Sequence, residues 1–332
     1  MAVFIYFVLA ALVTVIASIK LSQYADVISE KTAMGGMMVG TLLLAGATSL
    51  PEVSTSFSAA AIGNADIAVG NMIGSNLFNL FILAAFDFLL RRRRILERAS
   101  RDHLYTAFLG LLLTVLVILA LWLRIDISFL GIGLDALIIA VAYIAGMVVI
   151  NKLQSQDPSI EEAAVSEQEP NNPSRNLSAK ASIFRFILAA LVVLGTGTAL
   201  SITGDRIADI TGIGSSFIGS FLIAATTSLP EAISVFVALR LNNVNMAVGA
   251  ILGSNIFNMI ILAISDPVYT AGPILSAVSG AHMIIALGVL AMSLLIIYAL
   301  TQKKILSSTA YAVPSILIVV IYFVATYLNF TY

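Results

Sequence analysis

The chain has 332 residues, of which 60% are hydrophobic and 11% charged, with a mean hydropathy of +1.03 and a net charge of −1. This composition exceeds the apolar content of a soluble core and is typical of a polytopic membrane protein, which excludes a sizeable soluble domain. The chain contains no cysteine, so disulfides and thiolate metal sites are excluded and a metal ion is expected to be bound by oxygen atoms.

Apolar segments long enough to span a bilayer follow one another along the chain, each with the roughly 20 residues that a span takes. The ten candidates lie near 3–22, 33–62, 66–90, 104–123, 127–150, 182–203, 212–240, 245–265, 274–300 and 308–330. The predicted fold is therefore an all-α polytopic membrane protein with ten transmembrane helices.

Basic residues are distributed unequally between the two sides of this ten-helix arrangement. Fifteen lysines and arginines fall on one side, and only Arg124 and Arg206 fall on the other. The positive-inside tendency then places the loops 91–103 and 151–180 in the cytoplasm and both termini outside a cell membrane. The expected partners are the lipid bilayer and transported ions, with no nucleic acid, no obligatory protein partner and no cofactor.

Residues 151–180 are polar and proline-punctuated, which is typical of a flexible linker. They divide the chain into halves of five predicted helices, 1–150 and 181–332. Because five is odd, the second half enters the membrane from the opposite side. The sequence therefore predicts an inverted-topology repeat, an arrangement found in secondary transporters with a substrate site near the bilayer midplane.

A long segment of the first half is repeated in the second. Residues 40–87 align without a gap with residues 219–266, and 23 of the 48 positions are identical. The matched motifs are ATSLPE (47–52) with TTSLPE (226–231), and GSNLFN (74–79) with GSNIFN (253–258). Glu52 is thereby paired with Glu231.

Both glutamates lie in apolar segments, where an ionisable side chain is costly and by default indicates function. Each follows a proline, Pro51 or Pro230, which removes a backbone donor and leaves helical carbonyls without partners. Carbonyl oxygens beside a carboxylate are ligands for a hard cation. These residues predict a cation site shared by the two halves.

The two motifs resemble those of the cation/calcium exchangers, whose paired alpha-repeats carry G-T-S-x-P-E/D followed by G-S-x-x-x-N/D. The Ser-x-Pro-Glu form at Ser49–Glu52 and Ser228–Glu231 is more similar to the sodium/calcium branch than to the proton/calcium branch. The resemblance implies that Glu52 and Glu231 are bridging carboxylates and that Thr48 and Thr227 offer backbone carbonyls to a central ion. It also implies that flanking sodium ions are bound by the hydroxyls of Ser49, Ser228, Ser75 and Ser254 and by the carbonyls of Ala45 and Ala224. The amides of Asn79 and Asn258 are implied to line the centre.

Two features depart from the family pattern. The glycine before Thr-Ser is replaced by Ala47 and Thr226, so the helix break is expected to be tighter or rotated. Some relatives carry aspartate at the position of Asn258; here only two central carboxylates remain, which disfavours a potassium-requiring site.

Four other ionisable residues in the predicted helices have simpler explanations. Asp87 and Asp266 match each other near helix ends, where interfacial water is expected to solvate them. Asp135 is expected to hydrogen-bond a neighbouring helix, and His282 is a lone histidine near a helix start.

The predicted function is exchange of calcium for sodium by alternating access at Glu52 and Glu231, with electrogenic calcium extrusion. The nearest alternative is proton-coupled exchange of calcium or another divalent cation, with the same glutamates as protonatable groups. An intramembrane enzyme with a serine nucleophile would need a positioned base, and both histidines lie outside the motifs. A passive cation channel is the third alternative. The chain is expected not to be an enzyme.

Overall fold

The computed structural model describes residues 2–31, 47–154, 174, 176–302 and 307–332, and within them the protein is a bundle of long helices. In chain order the α-helices are α1 (Ala2–Lys31), α2 (Leu50–Ala61), α3 (Ala65–Leu89), α4 (Ile95–Arg98), α5 (His103–Leu123), α6 (Leu134–Gln154), α7 (Ala179–Thr211), α8 (Ser215–Phe217), α9 (Ala224–Thr227), α10 (Leu229–Arg240), α11 (Val244–Ser265), α12 (Ile274–Ala277), α13 (Ala281–Thr301) and α14 (Ser308–Thr331). A π-helical turn, Ile218–Ile223, joins α8 to α9, and a 3-10 turn, Asp266–Val268, follows α11.

Eight of the described helices are long and apolar enough to cross a membrane. The count rises to nine if the bent pair Ser215–Thr227 and Leu229–Arg240 forms one span. The second predicted span, 33–62, includes residues 33–46, which lie outside the described residues. The count of ten therefore stays a prediction.

The described structure is all-helical apart from one short hairpin, and two predicted spans begin later than the hydropathy indicates. Before α6, the strands β1 (Ser128–Phe129) and β2 (Ile132–Gly133) form an antiparallel hairpin, with Ser128 opposite Gly133. Its turn places Leu130 at φ 54° and Gly131 at φ 80°, and positive φ at both central residues suits a tight hairpin. The apolar residues of this hairpin have the hydropathy of a span, so the predicted span near 127–150 begins before the helix α6 does.

Asp266 fixes two irregular segments, the hairpin before α6 and the start of α12. One carboxylate oxygen accepts from the backbone N–H of Gly133 at 2.6 Å and the other from that of Ile274, the first residue of α12, at 2.7 Å. The predicted span near 274–300 is accordingly divided into α12 and α13. Asp266 is 1% exposed, so the expected interfacial solvation is wrong, because backbone donors replace water.

Asp87 has the corresponding role at the end of α3. It is also 1% exposed and accepts hydrogen bonds from the Leu96 N–H of α4 at 3.2 Å and from Ser315 of α14 at 2.6 Å, as well as from the Tyr311 hydroxyl. The two matched aspartates therefore each fix a short helix after a long one. Asp135, by contrast, accepts from the adjacent Ala136 N–H at 2.8 Å rather than from a neighbouring helix.

The helices differ in how deeply they lie in the bundle. The most apolar windows of α3 and α11, which carry the two GSN motifs, are 67% and 61% buried, whereas those of α1 and α6 are only 22% buried. Helix α3 packs against α2, α11, α13, α14 and the π-helical turn. Both motifs therefore lie at the centre of the bundle, where polar side chains need partners.

Helix α7 lies along α1 and contacts both α1 and α2 through hydroxyl groups. Thr14 donates to Thr196 at 2.7 Å, and Ser54 of α2 donates to the Leu194 carbonyl at 2.8 Å. A Cβ at Gly197 would contact the Ser54 side chain too closely, so glycine permits this helix approach.

Candidate ion-binding site

The two helix breaks that precede the glutamates have the same backbone geometry. Ser49 caps α2 at φ −91°, ψ 5°, and Ser228 caps α10 at φ −89°, ψ 4°. Pro51 and Pro230 lie in the first turns of these helices, where the missing N–H of proline is tolerated. The same proline deprives a carbonyl four residues earlier of its helical donor, so each break exposes backbone oxygen atoms.

Before the second break the backbone widens into the π-helical turn, a distortion that is frequent at functional sites. The carbonyl of Ala224 accepts from the Ser228 N–H at 3.0 Å. Thr227 is the last residue of α9, at a helix end where carbonyls lack helical partners. Ala45, the residue that matches Ala224, lies outside the described residues.

The two glutamates are buried at 1% and 3% exposure, and each has an oxygen atom without a partner. Oε1 of Glu52 accepts from the Ser228 hydroxyl, across the boundary between the halves, at 3.2 Å. Oε2 of Glu52 and Oε2 of Glu231 have no hydrogen-bond partner among the described residues. A buried carboxylate that lacks a partner is costly unless a cation or a proton compensates its charge.

The asparagines of the two GSN motifs are linked across the halves through their nitrogen atoms. Asn79 Nδ2 donates to Asn255 Oδ1 at 3.0 Å, and Asn258 Nδ2 donates to Asn76 Oδ1 at 2.9 Å. Asn76 and Asn255 also donate to each other's backbone carbonyl, at 3.0 and 3.3 Å. These bonds leave the Oδ1 atoms of Asn79 and Asn258 without partners in the described structure.

Unpartnered oxygen atoms are concentrated among the predicted ligands. Nine buried side-chain nitrogen and oxygen atoms of the described residues lack a hydrogen bond, and five of them belong to predicted site residues. These five are Glu52 Oε2, Glu231 Oε2, Ser75 Oγ, Asn79 Oδ1 and Asn258 Oδ1. Because four of them are carboxylate or amide oxygens, which only accept, the set is suited to a cation.

Comparison with known proteins assigns the family. The sequence profile of the family described as sodium/calcium exchanger protein matches residues 2–151 and 181–331, which is most of the chain. The chain belongs to the sodium/calcium exchanger family. This family consists of membrane antiporters rather than enzymes, and the suspected resemblance is confirmed.

Individual relatives agree with this assignment. The exchanger is 28% identical over 277 residues to CaxA of Alkalimonas amylolytica, covering 82% of this chain and 83% of CaxA. The H+/Ca2+ exchanger CAX has the same fold at 17% identity and a TM-score of 0.69, covering 99% of this chain and 86% of that chain. The sodium-calcium exchanger NCX_Mj matches at 23% identity and a TM-score of 0.57, covering 98% and 97%. At these identities the two structures show the fold alone.

The exchanger's remaining predicted ligands differ in their exposure. Ser49 is 2% exposed, and Ser228 and Thr227 are fully buried, whereas Thr48 and Ser254 are partly exposed. Within the described residues no group of three or more His, Cys, Asp or Glu side chains is suitably placed for a metal ion. A cation at this site would therefore meet two carboxylates and neutral oxygens.

Sequence reasoning missed several polar residues at this site. Asn76 and Asn255 lie inside the duplicated motifs, so their duplication was an available signal. Asn71 and Thr55 were missed because their matched residues are Ala250 and Ser234, so the pair is not repeated intact.

His282, expected to be isolated, is within 2.9 Å of Asp66, and His103 lies against Gly249. Neither histidine contacts Ser49 or Ser228 in the described part of the chain, so neither is positioned as a base for those serines.

Proposed function

We propose that this exchanger transports calcium out of the cell in exchange for sodium, by alternating access at a site between Glu52 and Glu231. The observation that carries the proposal is the group of five buried, unpartnered oxygens contributed by both halves. Each is a group that would remain desolvated without a ligand, and bound cations would compensate these oxygens.

The donor set suits calcium in particular. Calcium takes 6–8 oxygen ligands in flexible geometry, whereas magnesium demands a near-ideal octahedron and retains water. The two carboxylates, the two amide oxygens and the carbonyls of Thr48 and Thr227 supply enough oxygens for calcium. We assign the flanking sodium ligands to Ser49, Ser228, Ser75 and Ser254 with the carbonyls of Ala45 and Ala224.

Sodium rather than the proton is proposed as the counter-ion because the Ser-x-Pro-Glu form at Ser49–Glu52 and Ser228–Glu231 resembles that of the sodium/calcium branch. A proton-coupled site needs only groups that titrate, and Glu52 and Glu231 would be sufficient. The unpartnered oxygens of Ser75, Asn79 and Asn258 do not titrate, so they support the binding of a cation beside the carboxylates. Proton-coupled exchange remains the second candidate, because the H+/Ca2+ exchanger CAX shares the fold.

The proposed architecture has two inverted halves, 1–150 and 181–332, joined by a cytoplasmic linker at 151–180. Two hydrogen bonds between distant segments support the proposal that the paired segments lie at the same end of the helix bundle. Arg93 donates to the Leu239 carbonyl at 2.8 Å at the end of α10, whereas Arg124, predicted on the other side, donates to Val278 at 3.3 Å. The loop 91–103 is assigned to the cytoplasm and both termini to the outside.

The test is uptake of radioactive calcium into proteoliposomes under sodium and proton gradients imposed separately. We expect an outward sodium gradient to drive uptake at constant pH. Uptake driven only by a pH gradient would establish the proton-coupled candidate, and uptake that needs no counter-ion would establish a passive channel. Liposomes that contain the Glu52→Gln variant are the control for leakage.

A further inference from the structure

One buried amide beside the proposed site is not repeated. Asn71 lies in AVGNMIGSN, and the corresponding segment of the second half reads AVGAILGSN, with Ala250 at the matched position. The surrounding residues are largely identical in the two segments. The two halves of the site therefore differ by one hydrogen-bonding side chain at a position close to both motifs.

Asn71 connects the two helix breaks. Its side chain is fully buried, and its Oδ1 accepts from the hydroxyl of Thr227, in the second half, at 3.1 Å. Its Nδ2 donates to Thr55 at 2.6 Å and to Ser56 at 3.0 Å, both in α2 of the first half. The amide group thus uses its oxygen atom toward the second half and its nitrogen atom toward the first half.

The connection continues to the residue before Glu52. The Thr55 hydroxyl, which accepts from Asn71, donates to the Pro51 carbonyl at 2.7 Å. A continuous chain of hydrogen bonds therefore runs from Thr227, beside one break, through Asn71 and Thr55 to Pro51, beside the other. Because Ala250 has no polar side chain, the second half contains no counterpart of this chain.

We propose that Asn71 is a positioning residue that sets the exchanger's affinity for calcium relative to sodium. This role of Asn71 rests on the proposed function, in which a central calcium ion binds the Thr227 carbonyl and both glutamates. Asn71 holds Thr227 and the α2 break at a fixed separation, so these ligands are preorganised around one ion. The flanking sodium ions, which are assigned to serine hydroxyls, depend less on this separation.

The first variants are Asn71→Ala and Thr227→Val, which remove the two partners of the bond between the halves. Loss of a residue that orients metal ligands typically lowers metal affinity by about 10- to 100-fold. We expect each variant to raise the KM for calcium within that range, while the half-saturating sodium concentration changes by a much smaller factor. Thr55→Val should act in the same direction. Its mirror variant, Ser234→Ala, is the matched control and should change neither constant.

The decisive measurement is the double variant. If Asn71 acts through Thr227, the double variant Asn71→Ala/Thr227→Val should have the same calcium KM as the more severe single variant. The reason is that the effects of substitutions at two coupled residues do not add. Additive losses would overturn the proposal. A merely structural role would lower yield and maximal flux and leave the ratio of calcium to sodium constants unchanged, which would also overturn it.

A binding readout separates this proposal from the function on which it rests. Calcium should raise the Tm of the detergent-purified wild type, and the rise should shift to higher calcium concentration in Asn71→Ala. A wild type that shows neither calcium flux nor a calcium-dependent Tm contradicts the proposed function. A wild type that shows both, together with an unshifted Asn71→Ala titration, contradicts only the role of Asn71.

Discussion

At the scale of single residues, the site combines full burial with incomplete hydrogen bonding. Ser228 supplies one hydrogen bond to Glu52, whereas the mirrored bond from Ser49 to Glu231 is absent although both residues are described. Oε2 of each glutamate remains unpartnered in the described structure. The two carboxylates therefore have related sequence environments but different contacts.

We expect Glu52→Gln and Glu231→Gln each to reduce calcium transport to the level of empty liposomes. Glutamine preserves the volume of the side chain but removes one of the two central charges, which a divalent ion requires. Calcium flux is measured beside the size-exclusion profile, which reports folding. The control is Glu97→Gln, since Glu97 pairs with Arg94 at 2.9 Å outside the site. Near wild-type flux in either site variant at normal yield would refute the site.

Ser49→Ala and Ser228→Ala should weaken sodium dependence more than calcium binding. A hydroxyl contributes proportionately more to the shell of a monovalent ion than to one dominated by carboxylates. A lost hydrogen bond of about 1 kcal/mol corresponds to about a fivefold rise in the half-saturating sodium concentration. Ser228→Ala should also affect calcium more than Ser49→Ala does, because Ser228 contacts Glu52. Equal loss for both ions would contradict the assignment of the hydroxyls.

At the scale of secondary-structure elements, α3 positions most of the first half of the site. It carries Asn71, Ser75 and Asn79 on buried turns and packs closely on the π-helical turn. A Cβ at Gly74 would contact the backbone of Ser220 well within van der Waals distance, so α3 and this turn approach main chain to main chain. The glycine of the first GSN motif is thus required for packing.

Gly74→Ala should therefore destabilise the bundle and reduce transport. The added methyl group meets backbone atoms, which do not move aside as a flexible side chain does, and overpacking of this kind costs about 1–3 kcal/mol. The midpoint of thermal unfolding in detergent and the calcium flux are the measurements. Gly195→Ala, whose Cβ would meet no atom within 4 Å, is the control and should keep or raise the wild-type midpoint, because alanine is the better helix former in α7. An unchanged midpoint for Gly74→Ala would show that the two elements separate easily.

At the scale of the whole molecule, charge distribution determines both orientation and energetics. The two glutamates supply a charge of −2, which one calcium ion neutralises, and Asn79 and Asn258 add none. The fifteen basic residues on one predicted side predict the orientation in the membrane.

Labelling of single introduced cysteines tests this orientation directly, because the chain has no native cysteine. Cysteines in the segments 91–103 and 151–180 should react only with reagent on the cytoplasmic side. Cysteines at the two termini should react with external reagent. A terminus protected from external reagent would overturn the helix count and with it the inverted repeat.

Exchange should also be electrogenic. The site has more oxygen groups than two sodium ions need, so we expect the sodium-loaded state to hold more than two ions and to carry net positive charge. An inside-negative potential then drives sodium entry and calcium exit. Sodium-dependent calcium flux in liposomes clamped with potassium and valinomycin should change with potential. Flux independent of potential would show electroneutral exchange and refute the additional sodium ion.

The membrane class and the family resemblance followed from the sequence. Long apolar segments and a duplicated, proline-interrupted motif report directly on the solvent and on the chemistry that a chain requires. The carboxylates, serines and asparagines around Glu52 and Glu231 were proposed as ligands because each occurs twice. The bounds of the irregular segments did not follow, because the apolar residues of the hairpin before α6 have the hydropathy of a span.

Only the tertiary structure decided which polar groups are paired and which remain available. Asp87 and Asp266 resemble solvated helix ends in the sequence, but both are buried, and groups distant along the chain help to satisfy them, Ser315 for Asp87 and the Gly133 N–H for Asp266. Asn71 carries no signal of duplication, yet it joins Thr227 to Thr55 across the halves. Hydrogen bonds depend on distances between segments far apart in sequence, and the packing of α2, α3 and α9 sets those distances.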